Sequence, residues 1–224
     1  MMISKTNFIK DYVLDKSVLD IGCVGGNKTK VSDMHMFLHG NTSFVLGIDV
    51  QKERVNSLKN DVYNVEYGNV YSYKPNRKFD VIFAGDILEH LSNPDMFFNN
   101  MKSIMNKNTI LIIITPNCYS SICLYNYFIS GYEGKHWRDR IIKKDKVYSG
   151  DGFGHIILYS RYMMERMFLR YKFSVVDFCF SYNYKKGIRG YLTRFIGNLL
   201  PIFAESMIYV IKKCDLDGNN VKNQ

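Results

Sequence analysis

Short apolar runs alternate along the chain with stretches in which apolar residues recur every three or four positions. The short runs are typical of buried strands, and the periodic stretches are typical of helices with one apolar face. Strands are predicted over 18–21, 44–50, 64–67, 79–84, 110–114, 173–180 and 207–211, and helices over 3–13, 27–38, 52–59, 94–105, 160–171 and 188–200. Strands that alternate with helices predict an α/β fold with a mostly parallel sheet and helices on both faces.

A glycine-rich turn follows the first predicted strand. Residues 18–26 read Val-Leu-Asp-Ile-Gly-Cys-Val-Gly-Gly, with glycine at three of the last five positions. Glycine lets the backbone turn sharply or lie against a ligand, because it has no Cβ. The pattern fits an ordinary strand–helix turn as well as a ligand-binding turn, so residues further along the chain decide between them.

An acidic residue, Asp49, ends the second predicted strand. In a doubly wound sheet, ligands bind outside the carboxyl ends of the strands, where the strand order reverses. A carboxylate at that place can accept two ribose hydroxyls, which fits a nicotinamide dinucleotide or another adenosine ligand. The Gly-x-Gly-x-x-Gly pattern of dinucleotide sites is absent, since the turn reads Gly-Cys-Val-Gly-Gly-Asn from Gly22. The dinucleotide interpretation therefore loses support.

Four segments resemble those of the class I S-adenosylmethionine-dependent methyltransferases, and within that class the type-11 and ubiquinone-biosynthesis-like small-molecule enzymes. They are the glycine turn 18–26, the fourth strand and its turn 79–94, the fifth strand 111–117, and 154–160 with the sixth strand at 173–176. The resemblance covers about residues 15–212 and is interrupted at 117–153. It implies a three-layer, Rossmann-like, seven-stranded fold whose last strand is antiparallel, formed by one domain over 1–224.

The same resemblance implies S-adenosylmethionine as the cofactor. The glycine turn would lie beside its amino acid part, Asp49 would accept the ribose hydroxyls, and Asp20 would orient the turn. Val24 stands where relatives often have glycine, and Asn69 stands where many have aspartate at the adenine edge. The implied cofactor residues are Asp20, Gly22, Cys23, Val24, Gly26, Asp49, Val50, Asn69, Val70 and Gly85.

Methyl transfer from a sulfonium is an in-line displacement, so the enzyme positions the acceptor and removes a proton where the acceptor is a hydroxyl. His90 and His155 are candidate bases, because an unperturbed imidazole titrates near pH ~6.5. Glu89 is the third catalytic candidate. In an alternative interpretation, Glu89 anchors the following helix and His90 caps it or lines the pocket. The other histidines are interpreted as surface or packing residues: His35, His39 and His136.

A metal site is a further hypothesis. The spacing Asp86-x-x-Glu89-His90, with His155, resembles the metal-binding set of the small-RNA 2′-O-methyltransferases and some ubiquinone O-methyltransferases. Two carboxylates and two imidazoles can hold a divalent ion that acidifies an acceptor hydroxyl. A Glu-His pair also follows the fourth strand in relatives without a metal, so the metal stays a hypothesis beside the metal-free interpretation.

The segment 117–153 breaks the alternation of strands and helices. It contains the single tryptophan, Trp137, and between residues 135 and 146 it carries six Lys and Arg against two Asp. Connections of this length within a compact domain are often lids or binding loops. The segment is therefore interpreted as a substrate lid or as a solvated surface insertion.

The amino-acid composition favours certain classes of binding partner and one cellular compartment. The net charge of +9 favours an anionic partner, such as a nucleic acid, a phosphorylated small molecule or a membrane surface. The five cysteines lack Cys-x-x-Cys spacing, which favours a reducing cytoplasm over a disulfide framework or a zinc site. We expect no membrane span and no signal peptide, because no apolar run is long enough and residues 1–10 lack an apolar segment.

The family resemblance, together with the positive charge, implies O-methylation of a small molecule, such as a sugar, a glycan precursor or a related phosphorylated metabolite. A nucleic-acid methyltransferase is the first alternative, because the cations and aromatic residues near Trp137 can grip phosphates and stack a base. The fourth strand does not lead into the Pro-Pro-aromatic signature of base N-methyltransferases. A non-catalytic nucleoside-binding relative is the second alternative, and the nearly intact glycine turn counts against it.

Overall fold

The structure is a computed structural model, and it describes residues 3–25, 30–58, 63–120, 123, 157–182, 195 and 199–214. Within these ranges the chain forms one sheet of eight strands in the order β1-β7-β8-β6-β5-β2-β3-β4. Strand β8 runs antiparallel to both of its neighbours, and the other pairs are parallel. The strands are β1 (Ile3–Ser4), β2 (Ser17–Ile21), β3 (Phe44–Asp49), β4 (Val65–Tyr67), β5 (Val81–Gly85), β6 (Ile110–Pro116), β7 (Phe173–Tyr182) and β8 (Ser206–Lys213).

The helices cover both faces of this sheet, as the sequence predicts. On one face, α1 and α2 pack over alternate residues of the central strands, and on the other face α4 and α5 pack over the residues between them. Helix α3 packs beside β4 at the sheet edge. The helices are α1 (Lys5–Val13), α2 (Asp33–His39), α3 (Lys52–Leu58), α4 (Pro94–Ile104) and α5 (Arg161–Arg170), with short 3₁₀ turns at Leu88–His90 and Pro201–Phe203.

The seven predicted strands and the antiparallel last strand are confirmed, and β1 is an additional two-residue strand. It pairs in parallel with the end of β7, and Ser4 then caps α1 by accepting a hydrogen bond from the Asn7 N–H. The helix predicted from residue 3 therefore begins at Lys5. The helix predicted over 188–200 lies mainly outside the described residues.

Helix α2 also begins later than predicted, at Asp33 instead of Asn27. Residues 26–29 are not described, but Val31 forms an antiparallel bridge with Val24 and so is not helical. Ser32 caps the helix by accepting a hydrogen bond from the His35 N–H at 3.0 Å. The apolar side chain of Val31, which the helical pattern included, belongs to the closure of the glycine turn.

The larger core cluster contains a group of aromatic rings around Phe98, which is fully buried on α4. Its ring stacks on Tyr171 at a centroid distance of 4.8 Å and meets Phe97 edge-on at 5.0 Å. We expect Phe98→Ala to lower the free energy of unfolding by about 3–5 kcal/mol, through lost burial and the cavity left behind. Urea denaturation measures this change. Met96→Ala, on the half-exposed side of the same helix, is the control, and an equal loss in both variants would contradict the packing assignment.

The fold brings several strand ends together at one edge of the sheet. Strand β2 lies between β3 and β5, and β5 lies beside β6, all four in parallel. Their carboxyl ends, and the turns that follow them, therefore share the edge where ligands bind in open α/β sheets. No helix among the described residues has the length and apolar character needed to cross a bilayer.

Candidate functional site

The glycine turn leaves β2 at Gly22, whose φ of 81° lies in the left-handed region that favours glycine. The N–H groups of Gly22 and Cys23 both donate to the carbonyl of Ile48 on β3, at 2.8 and 3.3 Å. A Cβ on Gly22 would lie 2.1 Å from Cδ1 of Ile87, in the turn after β5. The turns after β2 and β5 are therefore in direct contact, and two of the predicted cofactor residues use their amides to fix the turn.

The remainder of the turn is closed by contacts on two sides. Val24 bridges Val31, and the Ser32 N–H donates to the Cys23 carbonyl at 2.8 Å. From α3, the guanidinium of Arg54 donates to the carbonyl of Gly25. Gly26, another predicted cofactor residue, lies outside the described residues.

Asp49 lies under this turn with only 8% of its surface exposed. Its Oδ2 accepts the Val24 N–H at 3.2 Å, and its Oδ1 accepts the Gln51 N–H at 3.0 Å. Burial raises the pKa of Asp49, while these two amides and the nearby Arg54 oppose that shift. Because each carboxylate oxygen can accept more than one hydrogen bond, Asp49 keeps acceptor capacity for two hydroxyls. The residues present therefore fit a ribose.

The region predicted to hold an adenine lies beside Asp49. Val50 is 48% exposed, so its side chain is accessible to a ligand ring. Asn69 is exposed too, and its Oδ1 accepts the Tyr71 N–H at 2.9 Å, so the side chain is oriented by its own turn. The side chain of Val70 is buried in the core, which leaves its backbone for any contact with the ring.

Asp20 is buried and bonded to a side chain that the sequence analysis dismissed. Its Oδ2 lies 2.8 Å from Nδ1 of His35, and the two residues are 2% and 0% exposed. From the sequence, His35 is interpreted as a surface or packing residue, and in the structure it is a buried residue with a hydrogen-bond partner. Asp20 is held by an imidazole from α2, and its burial leaves little of it to contact a cofactor directly.

The turn after β5 carries the predicted acidic residues. Gly85 ends the strand, and Asp86 follows in the left-handed region with a φ of 52°. Both carboxylate oxygens of Asp86 accept hydrogen bonds from Nζ of Lys5, at 2.8 and 3.1 Å. The first residue of α1 therefore reaches the candidate site and neutralises Asp86.

Glu89 points into the protein and is 1% exposed. Its Oε2 accepts a hydrogen bond from Oγ1 of Thr115 at 3.3 Å. Burial, and then the charge of Asp86, raise the pKa of Glu89 well above its ordinary value. His90, the next residue, is half-buried, so it is the more accessible of the two candidates.

The parts of the chain on either side of the interrupting segment, which spans 117–153, meet beside Glu89. Asn117 bridges Tyr159 in parallel, and the Cys118 N–H donates to the Tyr159 carbonyl at 3.0 Å. The Ile157 N–H donates to the Glu89 carbonyl at 3.2 Å. Apart from Cys123, residues 121–156 lie outside the described residues, and with them His155 and the basic stretch around Trp137.

The comparison with protein families shows which family the chain belongs to. A model whose description is "Methyltransferase domain" matches residues 5–177, which is more than half of the sequence. The chain belongs to this methyltransferase family.

Individual proteins that this chain resembles differ from it widely in sequence. A ubiquinone biosynthesis O-methyltransferase from Pelagibacter ubique is 28% identical over 165 residues, which span 64% of this chain and 65% of that protein, slightly under two thirds of its length. An S-adenosylmethionine-dependent methyltransferase from Methanosarcina mazei has a TM-score of 0.60 at 13% identity, covering 96% of this chain and 99% of that one. One from Clostridium acetobutylicum has a TM-score of 0.57 at 13% identity, covering 93% and 88%. The two solved structures confirm the predicted methyltransferase fold.

The metal set that the family resemblance implies is not assembled among the described residues. No group of three or more His, Cys, Asp and Glu side chains is arranged there to hold an ion, and His155 is not described. Asp86 is already paired with the ammonium of Lys5, and the Glu89 carboxyl is turned to Thr115. As they are arranged in the described part of the chain, Asp86 and Glu89 do not form a metal site.

Three contacts of the site were missed by sequence reasoning: Lys5 with Asp86, Arg54 with Gly25, and His35 with Asp20. The first pair is separated by 81 positions, and no local pattern indicates it. The third pair had a usable signal, since Asp20 was predicted on a buried strand and a buried carboxylate needs a partner.

Proposed function

We propose that the protein is an S-adenosylmethionine-dependent methyltransferase that methylates an oxygen atom of a small molecule. The observation that carries this proposal is the geometry at Asp49. A buried carboxylate, held by two backbone amides under a glycine turn, keeps the acceptor capacity that a ribose requires. Membership of the methyltransferase family supports the choice of cofactor.

In this proposal the cofactor supplies the methyl group of a sulfonium for an in-line displacement. Asp49 binds the ribose, Val50 packs against the adenine, and the backbone of residues 22–25 forms the wall beside the amino acid part. Asn69 and the backbone of Val70 lie at the edge of the ring. The protein contributes mainly position, because orientation of the two reactants removes much of the entropic barrier.

We assign removal of the acceptor proton to His90. It lies in the 3₁₀ turn after β5, at the carboxyl edge of the sheet, and it is half-buried where its neighbour Glu89 is inaccessible. Glu89 acts as the anchor of that turn through Thr115 on β6. His155 remains a second candidate base, and no step is assigned to a metal ion.

The acceptor is proposed to be a sugar, a glycan precursor or another phosphorylated metabolite. The net charge of +9 favours an anionic acceptor. The relative from Pelagibacter ubique is an O-methyltransferase by name, which supports oxygen as the methylated atom. The excess of six Lys and Arg over two Asp between residues 135 and 146 also suits an anionic acceptor.

A labelling experiment tests this proposal. The purified protein is incubated with S-adenosylmethionine labelled in its methyl group and, separately, with phosphorylated sugars, sugar nucleotides, catechols and RNA. We expect label on a hydroxyl oxygen of a phosphorylated sugar or a sugar nucleotide, and its loss in His90→Ala. Label on RNA would replace the proposal with the nucleic-acid alternative. Failure of wild-type protein to bind S-adenosylmethionine would reject both.

A further inference from the structure

A buried pair of titratable side chains lies beneath the glycine turn. Asp20 on β2 and His35 on α2 are 2.8 Å apart, and both are sealed from solvent. His35 also has a ring nitrogen, Nε2, that makes no hydrogen bond within the described part of the chain. Burial of two ionisable side chains is costly, so the presence of this pair needs a physical explanation.

The fold makes room for this pair in a specific way. Side chains alternate between the two faces of β2 and β3, which places Asp20 and Gly47 on the face that α2 covers. A Cβ at Gly47 would lie 2.8 Å from Cε1 of His35 and 2.5 Å from Cβ of Cys23. The absence of a side chain at Gly47 therefore lets the imidazole and the thiol lie directly over β3.

Stability alone does not account for the pair. Burying two ionisable groups has a desolvation penalty that often equals or exceeds their attraction, so an apolar pair would stabilise the fold at least as well. Burial raises the pKa of Asp20, and the hydrogen bond and charge of His35 oppose that shift. Buried polar pairs are best attested as devices that fix one arrangement over others.

The position of the pair indicates which arrangement it fixes. Asp20 lies two residues before Gly22, and His35 lies three residues after Ser32, whose N–H bonds to the Cys23 carbonyl. The pair thus joins the two stems of the loop that contains the glycine turn. That loop delivers the Val24 N–H to Asp49.

We propose that His35 is a positioning residue for the cofactor, acting through its hydrogen bond to Asp20 to hold the glycine turn in its binding conformation. This inference rests on the proposed function, because it assigns His35 to the same cofactor site. His35 touches neither the cofactor nor the acceptor. It contributes by keeping the backbone of residues 22–24 in register over Asp49.

The test compares variants that keep or remove this hydrogen bond. His35→Phe retains a ring and loses the donor, and His35→Asn retains a side-chain N–H close to the position of Nδ1. Binding of S-adenosylhomocysteine is measured by calorimetry, well below each variant's melting midpoint. We expect His35→Phe to raise Kd by about tenfold, as for loss of one buried hydrogen bond, and His35→Asn to stay within about threefold of wild type. Hydrogen exchange of the amides at 22–24 should accelerate in His35→Phe alone.

A merely structural role would lower the melting temperature of His35→Phe and leave Kd and the exchange of these amides unchanged, which would overturn the inference. If His35→Phe does not fold, the double variant Asp20→Asn/His35→Phe is used in its place. The double variant buries no charged carboxylate and still lacks the hydrogen bond between residues 20 and 35. Wild-type affinity in that double variant would also overturn the inference. Absence of binding by the wild-type protein would instead reject the proposed function, and the positioning role with it.

Discussion

Replacing Asp49 with alanine is expected to weaken the binding of S-adenosylhomocysteine by about a hundredfold or more. Each hydrogen bond from a ligand to a charged group contributes about 1.5–3 kcal/mol, and the carboxylate is positioned to accept two of them from a ribose. The variant also removes the acceptor of the Val24 and Gln51 amides, which loosens the turn above the site. Calorimetric titration of the purified variant measures the loss.

Glu53→Ala is the matched control for Asp49→Ala. Glu53 is exposed in the first turn of α3, a few positions further along the chain. Its replacement by alanine removes the same charge without changing the site. Its affinity for S-adenosylhomocysteine should equal that of the wild type. An Asp49→Ala protein that is folded by circular dichroism and binds as tightly as Glu53→Ala would refute the ribose assignment.

Gly22→Ala is expected to abolish measurable cofactor binding and to destabilise the fold. An L-residue at a φ of 81° is strained by about 1–2 kcal/mol, and the new Cβ would collide with Ile87 in the turn after β5. Overpacking of this kind adds about 1–3 kcal/mol. Thermal denaturation and calorimetry measure the two effects.

Two further variants separate the causes at Gly22. Ile87→Ala in the Gly22→Ala background removes the collision and leaves the backbone strain, so it should restore part of the stability and little of the affinity. Gly40→Ala is the control, because Gly40 caps α2 with a φ of −83° and has no neighbour closer than 3.7 Å to the added Cβ. If Gly22→Ala behaves like Gly40→Ala, the turn does not require glycine.

The sequence predicts the strands of this protein well because a parallel sheet covered on both faces needs uninterrupted apolar runs. Ile110 to Ile114 is such a run, and its side chains alternate between the two core clusters. The start of α2 is a different case. Val31 continues the helical pattern, yet its backbone pairs with Val24, a contact that depends on the path of the loop between them.

The residues of the candidate site also differ in how far the sequence predicts their positions and partners. The position of Asp49 follows from the end of a strand and needs only the fold to be right. The partners of Asp86 and Asp20 come from helices packed on the sheet, so they depend on helix placement, which short-range patterns do not determine. The sequence leaves Glu89 with two alternative roles, and its exposure of only 1% supports the proposed role as an anchor of the turn.

The bridge between Asn117 and Tyr159 has a consequence for how this chain tolerates changes in length. Asn117 is itself fixed, since its N–H donates to the Glu205 carbonyl and its side-chain amide to the carbonyls of Ile202 and Ala204. The sheet therefore holds the two ends of the connection side by side, whatever lies between them. Because the free-energy cost of closing a flexible loop rises by only about 0.6 kcal/mol when its length doubles, a longer or shorter flexible connection between these two ends would change the folding free energy little.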